Sequence, residues 1–115
     1  MPTLFSLTET PAADGVVRLV GVGELDMASA PLLESLVAEV VRRVRANRLL
    51  IDLGDVTFLD AAGLSALGAC HRDALDHGAE LRVSAARGIV RRVLDLTGMW
   101  EWLSDQPGRG RCLHV

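Results

Sequence analysis

One stretch constrains this chain more than any other: Leu49-Leu50-Ile51-Asp52-Leu53-Gly54-Asp55-Val56-Thr57-Phe58-Leu59-Asp60-Ala61-Ala62-Gly63-Leu64. It begins as an apolar strand, passes a Gly-Asp turn signal and ends at an acidic residue that opens a helix. Asp60 is a good N-cap, because its carboxylate can accept hydrogen bonds from the first unpaired amides of the helix. Gly63 leaves that first turn bare, so another backbone or a partner side chain can come close. Such a helix tip presents free N–H groups and a partial positive charge, a natural place for a phosphate or a docked partner. No nucleophile stands there, since the next two residues are Ala61 and Ala62.

The remaining elements arrange themselves around this stretch. Leu4 to Thr8 reads as a short strand, Asp14-Gly15 as a hairpin turn, and Val16 to Val20 as a second strand antiparallel to the first. Gly21-Val22-Gly23-Glu24-Leu25-Asp26 begins like a dinucleotide-binding glycine loop. However, Asp26 takes the place of the third glycine and no helix opens beside the second, so a strand end with a tight turn is the better reading. A helix is expected from Ser29 to Arg45, with Ser29 as cap and Pro31 in the first turn, where its missing N–H costs nothing. Leu33, Leu36, Val37, Val40 and Val44 give it one apolar stripe. Arg42, Arg43 and Arg45 gather at its C-terminal end, as the macrodipole favours; a solvated helix end explains them better than a phosphate site.

Leu49 to Leu53 is the third strand, an almost unbroken apolar run suited to a central position under helices. The helix opened by Asp60 should run to about His77 and stop at Gly78. Leu81 to Val83 is a fourth strand. Ser84 then caps a helix carrying Val90, Val93, Leu94 and Thr97, ended by Gly98. Met99 to Leu103 is apolar enough to return to the body of the protein, and 104–115 reads as a loose tail. Strands alternating with helices after an opening hairpin imply an α/β domain. The expectation is one domain over 1–115 with its core at 4–103: a mixed four- to five-stranded sheet with helices mainly on one face.

Composition excludes several classes. The chain has 115 residues, is 50% hydrophobic and carries a net charge of −3, which offers nothing for nucleic acid or an anionic membrane surface. All 12 basic residues are Arg, a bias that fits a GC-rich genome better than a function. No apolar run reaches the roughly 20 residues that span a bilayer, and residues 1–10 lack the pattern of a signal peptide. A cytoplasmic protein is expected.

Chemistry is equally sparse. Asp52, Asp55 and Asp60 are close in sequence, but each has an ordinary structural use, and no His or second acidic cluster joins them at ligand spacing. His71 and His77 stand six apart on a helix and do not share a face. Cys70 and His71 are adjacent and point different ways, so no zinc site is read. Ser65 has no base beside it and fits a small packing or surface residue. No metal, cofactor or enzymatic activity is expected.

The central stretch resembles the STAS domain, named for sulfate transporters and anti-sigma factor antagonists. Gly23-Glu24-Leu25-Asp26 is similar to that family's Gly-Glu-Leu-Asp turn after the second strand. Ile51-Asp52-Leu53 through Phe58-Leu59-Asp60 resembles its apolar strand, and Asp60-Ala61-Ala62-Gly63-Leu64 its Asp-Ser-Ser/Thr-Gly-Leu signature. Val93-Leu94-Asp95-Leu96-Thr97-Gly98-Met99 is similar to its late helix and exit. The resemblance covers roughly 4–103. It implies an anti-anti-sigma factor that binds an anti-sigma factor, often a histidine-kinase-like serine kinase, and so releases a sigma subunit. The partner-binding residues it implies are Gly23, Glu24, Asp26, Asp60, Ala61, Ala62, Gly63 and Leu64.

In that family the kinase phosphorylates the first Ser of the signature, whose charge abolishes binding. Here the position is Ala61, which has no hydroxyl and does not mimic phosphate, so the resemblance implies a permanently unphosphorylated state. Two other roles are compatible with the family: a subunit of a membrane lipid-transport complex, and a small-ligand sensor near Gly23 and Asp60. The two cysteines raise a redox reading. In the family pattern Cys70 falls where polar residues are common, which suggests exposure, and Cys112 sits in the tail between Arg111 and Leu113. A Cys70–Cys112 disulfide would substitute for the lost phosphoswitch; two unrelated thiols in a reducing cytosol is the plainer account.

Overall fold

The computed structural model describes residues 5–11 and 13–104. Its elements are β1 (Ser6–Glu9), β2 (Val16–Leu25), α1 (Ala30–Arg43), β3 (Arg48–Leu59), α2 (Ala61–Asp76), β4 (Glu80–Ala85), α3 (Gly88–Leu96) and α4 (Met99–Leu103). They form one four-stranded sheet in the order β1-β2-β3-β4. β1 runs antiparallel to β2, and β2, β3 and β4 are parallel. The expected mixed α/β sheet is therefore present. Leu4 and 105–115 lie outside the described residues, so the expectations placed on them are not addressed. Ser104 makes one parallel bridge to Val83 beyond β4.

Register explains the layering. Leu19, Ile51 and Val83 lie side by side across three strands, as do Val17, Leu49 and Leu81, and all six are buried in one core. The intervening row is Arg18, Leu50 and Arg82, of which only Leu50 is buried, and it stands outside that core. Side chains alternate across a strand, so one face is apolar and the other largely polar. Leu33 and Val37 of α1, Leu67 and Ala74 of α2, Val90 and Leu94 of α3 and Leu103 of α4 join the apolar side. The helices thus pack mainly on one face.

Three boundaries differ from expectation, each for a local reason. β2 does not end at Val20 but continues through Gly21–Leu25, because Gly21 pairs with Leu7 of β1 and Val22 to Leu25 keep pairing with β3. Gly21 is a strand residue whose bare Cα makes room for Phe5 and Val56, atoms that a Cβ would meet at 3.3–3.5 Å. β3 likewise runs through Gly54-Asp55 instead of turning there. The register slips between Val20 and Val22, and the Asp52 carboxylate accepts a hydrogen bond from the Gly54 N–H at 2.8 Å, so a bulge absorbs the turn signal. Ser84 is no helix cap: it lies within β4, and its hydroxyl donates to the Ile51 carbonyl at 3.4 Å. Arg87 occupies the cap position of α3.

Candidate functional site

Parallel pairing of β2 with β3 ends at Leu25 and Leu59, so the residues that follow both strands emerge together. The Asp60 N–H donates to the Leu25 carbonyl at 3.2 Å and ties the two exits. This brings Gly23–Asp26 beside the start of α2, two segments that the family resemblance assigned to one surface. Glu24 pairs in register with Phe58, and the Thr57 hydroxyl donates to the Gly23 carbonyl at 3.4 Å. Gly23 adopts φ of 119°, a backbone region that side chains rarely enter.

The first helix tip is closed by its own side chains. One Asp26 carboxylate oxygen accepts from the Ala28 N–H at 3.0 Å, the Ser29 N–H at 3.0 Å and the Ser29 hydroxyl at 3.2 Å. The Ser29 hydroxyl shares its one proton between that carboxylate and the Glu24 carbonyl, the nearer acceptor at 2.6 Å, and its oxygen accepts from the Asp26 N–H at 3.0 Å. The expected Ser29 cap is thereby corrected. Ser29 precedes the helix but bonds backward into the turn, while Asp26 takes up the loose amides. These bonds, foremost the one from the Ser29 backbone N–H, hold the Asp26 carboxyl below its ordinary range. Ser29 is the positioning residue that sequence reasoning missed; the Asp26-Met27-Ala28-Ser29 spacing, an acid followed three residues on by a hydroxyl, was the available signal.

The second tip is plainer. Asp60 caps α2 as expected, accepting from the Gly63 N–H at 2.9 Å. Ala61 is exposed, Ala62 and Leu64 are half-buried against the core, and Gly63 is buried. A Cβ on Gly63 would stand 2.6 Å from the Leu25 carbonyl oxygen and 2.8 Å from Leu59 Cδ1. Of the two uses open to Gly63, close approach of another backbone is the one realised. Around this surface Met27 is 77% exposed and Phe58 41%, two apolar side chains that the sequence pattern did not single out as contact residues.

The other candidate residues scatter. Asp55 pairs with Arg87 at 3.3 Å on the surface, and no cluster of three potential metal ligands exists among the described residues. His71 is buried edge-on against Trp102, with ring centroids 4.5 Å apart, whereas His77 is exposed beside Asp73. Ser65 is exposed. Cys70 is not at the surface, as the family pattern suggested, but only 2% exposed in the core. Burial, with Glu34 and Asp73 nearby, pushes its thiol up to about 12. Its spacing from Leu67 and Ala74 on the apolar stripe of α2 carried that information. Cys112 lies outside the described residues.

No helix among the described residues is long and apolar enough to cross a membrane. A family model described as the STAS domain matches residues 8–107. The anti-sigma-F factor antagonist RsfB of Mycobacterium tuberculosis is 33% identical over 95 residues, spanning 82% of this chain and 76% of the relative. A crystal structure of an anti-sigma factor antagonist from Mycobacterium paratuberculosis superposes with a TM-score of 0.74 at 31% identity, covering 90% of this chain and 88% of that one. The anti-sigma factor antagonist SpoIIAA in its unphosphorylated form shares the fold with a TM-score of 0.71 at 14% identity, each chain covered over 84%.

Proposed function

This chain belongs to the STAS domain family, and from that premise we propose that it is an anti-sigma factor antagonist, binding an anti-sigma factor and so freeing a sigma factor for transcription. The observation that carries the reading is the convergence of the β2 and β3 exits, which sets Gly23, Glu24 and Asp26 beside Asp60 and Ala61 on one surface. The names of the relatives at 31–33% identity support the same role. Contact falls to the exposed and half-exposed members of the set, with Met27 and Phe58 as apolar neighbours, because buried side chains cannot touch a partner. Gly63, which is buried, serves the patch by shaping it, and Asp26 by fixing the turn in which it stands. Neither a transport-complex subunit nor a small-ligand sensor at this patch is favoured by a specific observation.

The partner we propose has the histidine-kinase-like serine kinase fold, and toward it this protein behaves as permanently unphosphorylated. Ala61 occupies the exposed first position of α2, where a serine hydroxyl would be accessible, and alanine offers no oxygen to phosphorylate. Ala61→Ser tests this, since serine is well tolerated near a helix start. Incubation with the partner and ATP, read by intact mass, should add one phosphate to the variant and none to the wild type. A phosphate on the wild-type chain would contradict the loss of the switch. A redox substitute is not part of this reading, because a buried, fully protonated Cys70 is a poor partner for thiol exchange.

A further inference from the structure

At the opposite end of the sheet lies a cleft of about 500 Å³ between the C-terminal ends of α1 and α2. Its floor is apolar: the half-exposed Val44 and Ala46 line it, over the buried Val41, Leu49 and Ala79. Its rim carries Arg42, Arg45 and His77. The three neighbouring arginines, equivalent in the sequence, separate here. Arg43 is drawn away to the Glu9 carboxylate at 2.5 Å, while Arg42 and Arg45 make no ion pair among the described residues. His77 stands beside Asp73, its Nδ1 3.6 Å from the carboxylate.

Charge decides what such a cleft can hold. The carboxyl ends of two helices point toward it, and each carries roughly half a negative charge. The Asp73 carboxylate adds to this on the α2 side of the mouth beside His77, whereas Arg42 and Arg45 stand on the α1 side with no ion pair among the described residues, so it is the α1 side that favours an anion. Guanidinium forks match phosphate oxygens in bidentate geometry, better than they match a spherical ion. The apolar floor beneath adds a preference for a ligand with a hydrophobic body, and the volume falls within the usual range of small-molecule sites, about 300–1,000 Å³.

We propose that this cleft is a binding site for a small phosphate monoester bearing an aromatic or aliphatic group, the phosphate held by Arg42 and Arg45 and the apolar group on the half-exposed Val44 and Ala46. The site stands at the start of β3, whereas the partner surface stands at its end, a separation of roughly 35 Å along the strand. A ligand here leaves the partner surface open. The inference does not depend on the proposed antagonist role.

Titration of the full chain with phenyl phosphate, followed by amide chemical shifts, tests it. Shifts should concentrate at 44–49 and 77–79 and spare 60–64. Inorganic phosphate and benzyl alcohol, which each lack half of the ligand, should bind more weakly than phenyl phosphate. The Arg42→Ala/Arg45→Ala double variant should bind about ten-fold more weakly or worse, as expected for loss of two charge-assisted contacts. Arg18→Ala, on the polar face of the sheet, should bind as wild type. Unchanged affinity in a folded double variant would overturn the proposal. So would inorganic phosphate or benzyl alcohol binding as tightly as phenyl phosphate, or shifts spread evenly over the chain.

Discussion

Two helix tips stand side by side at the carboxyl end of the sheet, and they are built differently. The tip of α1 is sewn shut: Asp26 accepts three hydrogen bonds and Ser29 returns two more to the turn. The tip of α2 has a single side-chain bond, from the Gly63 N–H to Asp60, and then an exposed alanine. Both begin with an aspartate, yet one aspartate fixes a loop and the other merely starts a helix. The contrast assigns the first tip to shape and the second to contact. A partner gains little by competing with bonds already made, whereas a bare first turn presents surface that costs nothing to clear.

The largest expected effect comes from separating the tips. Gly63→Ala puts a Cβ 2.6 Å from the Leu25 carbonyl oxygen, and backbone cannot swing aside as a flexible side chain would. A loss of about 1–3 kcal/mol is expected from overpacking, measurable by urea denaturation. A neutral result would mean that the β2 and α2 exits are not held together as described.

Next is the comparison of the two acids. Asp26→Asn should lower the melting temperature more than Asp60→Asn, since it weakens three acceptor contacts instead of one. Asp60→Ala should cost about 1 kcal/mol, the usual worth of an N-cap. The folded Asp26 carboxyl titrates below its ordinary value of 3.8, so its stabilisation is complete above that value and is lost as pH falls through the depressed one. Thermal melts below pH 4 should therefore show wild type converging on Asp26→Asn. Parallel curves would show that Asp26 is not clamped.

A smaller effect sharpens the contrast between exposed and enclosed residues. Cys70 should resist thiol reagents in the native protein and react only on unfolding, with no Cys70–Cys112 peptide after mild oxidation. Rapid native labelling would place Cys70 outside the core.

Much of this architecture is legible in the sequence. Pro31 and Gly78 marked helix limits correctly, and the Asp60-Ala61-Ala62-Gly63 spacing announced a cap whose carboxylate reaches Gly63. The apolar run at Leu49–Leu53 correctly indicated a central strand. What escaped was tertiary in origin. Gly21, Gly23 and Gly54 look like turns because glycine permits turns, but pairing of the residues that flank them with neighbouring strands keeps the chain extended and turns the signal into bulges. At Cys70 the family pattern and the helical spacing disagree, and the spacing from Leu67 and Ala74, which puts it in the core, is the one the fold follows. At the site, adjacency of the two tips follows from the resemblance alone; of the Ser29 network, the Asp26-to-Ser29 spacing announces the local bonds, whereas the bond back to the Glu24 carbonyl depends on the path of the strand end.

The central claim is that the partner docks on the exposed tip of α2 beside the fixed turn. Ala61 has an open side chain and no packing role, so Ala61→Arg changes the surface without touching the clamp. Calorimetric titration of this variant and of Arg18→Ala against the cognate anti-sigma factor is the most direct measurement. The account predicts a loss of at least about ten-fold, or roughly 1.4 kcal/mol, for Ala61→Arg with an unchanged melting temperature, and wild-type affinity for Arg18→Ala. Wild-type affinity in a correctly folded Ala61→Arg protein would contradict it.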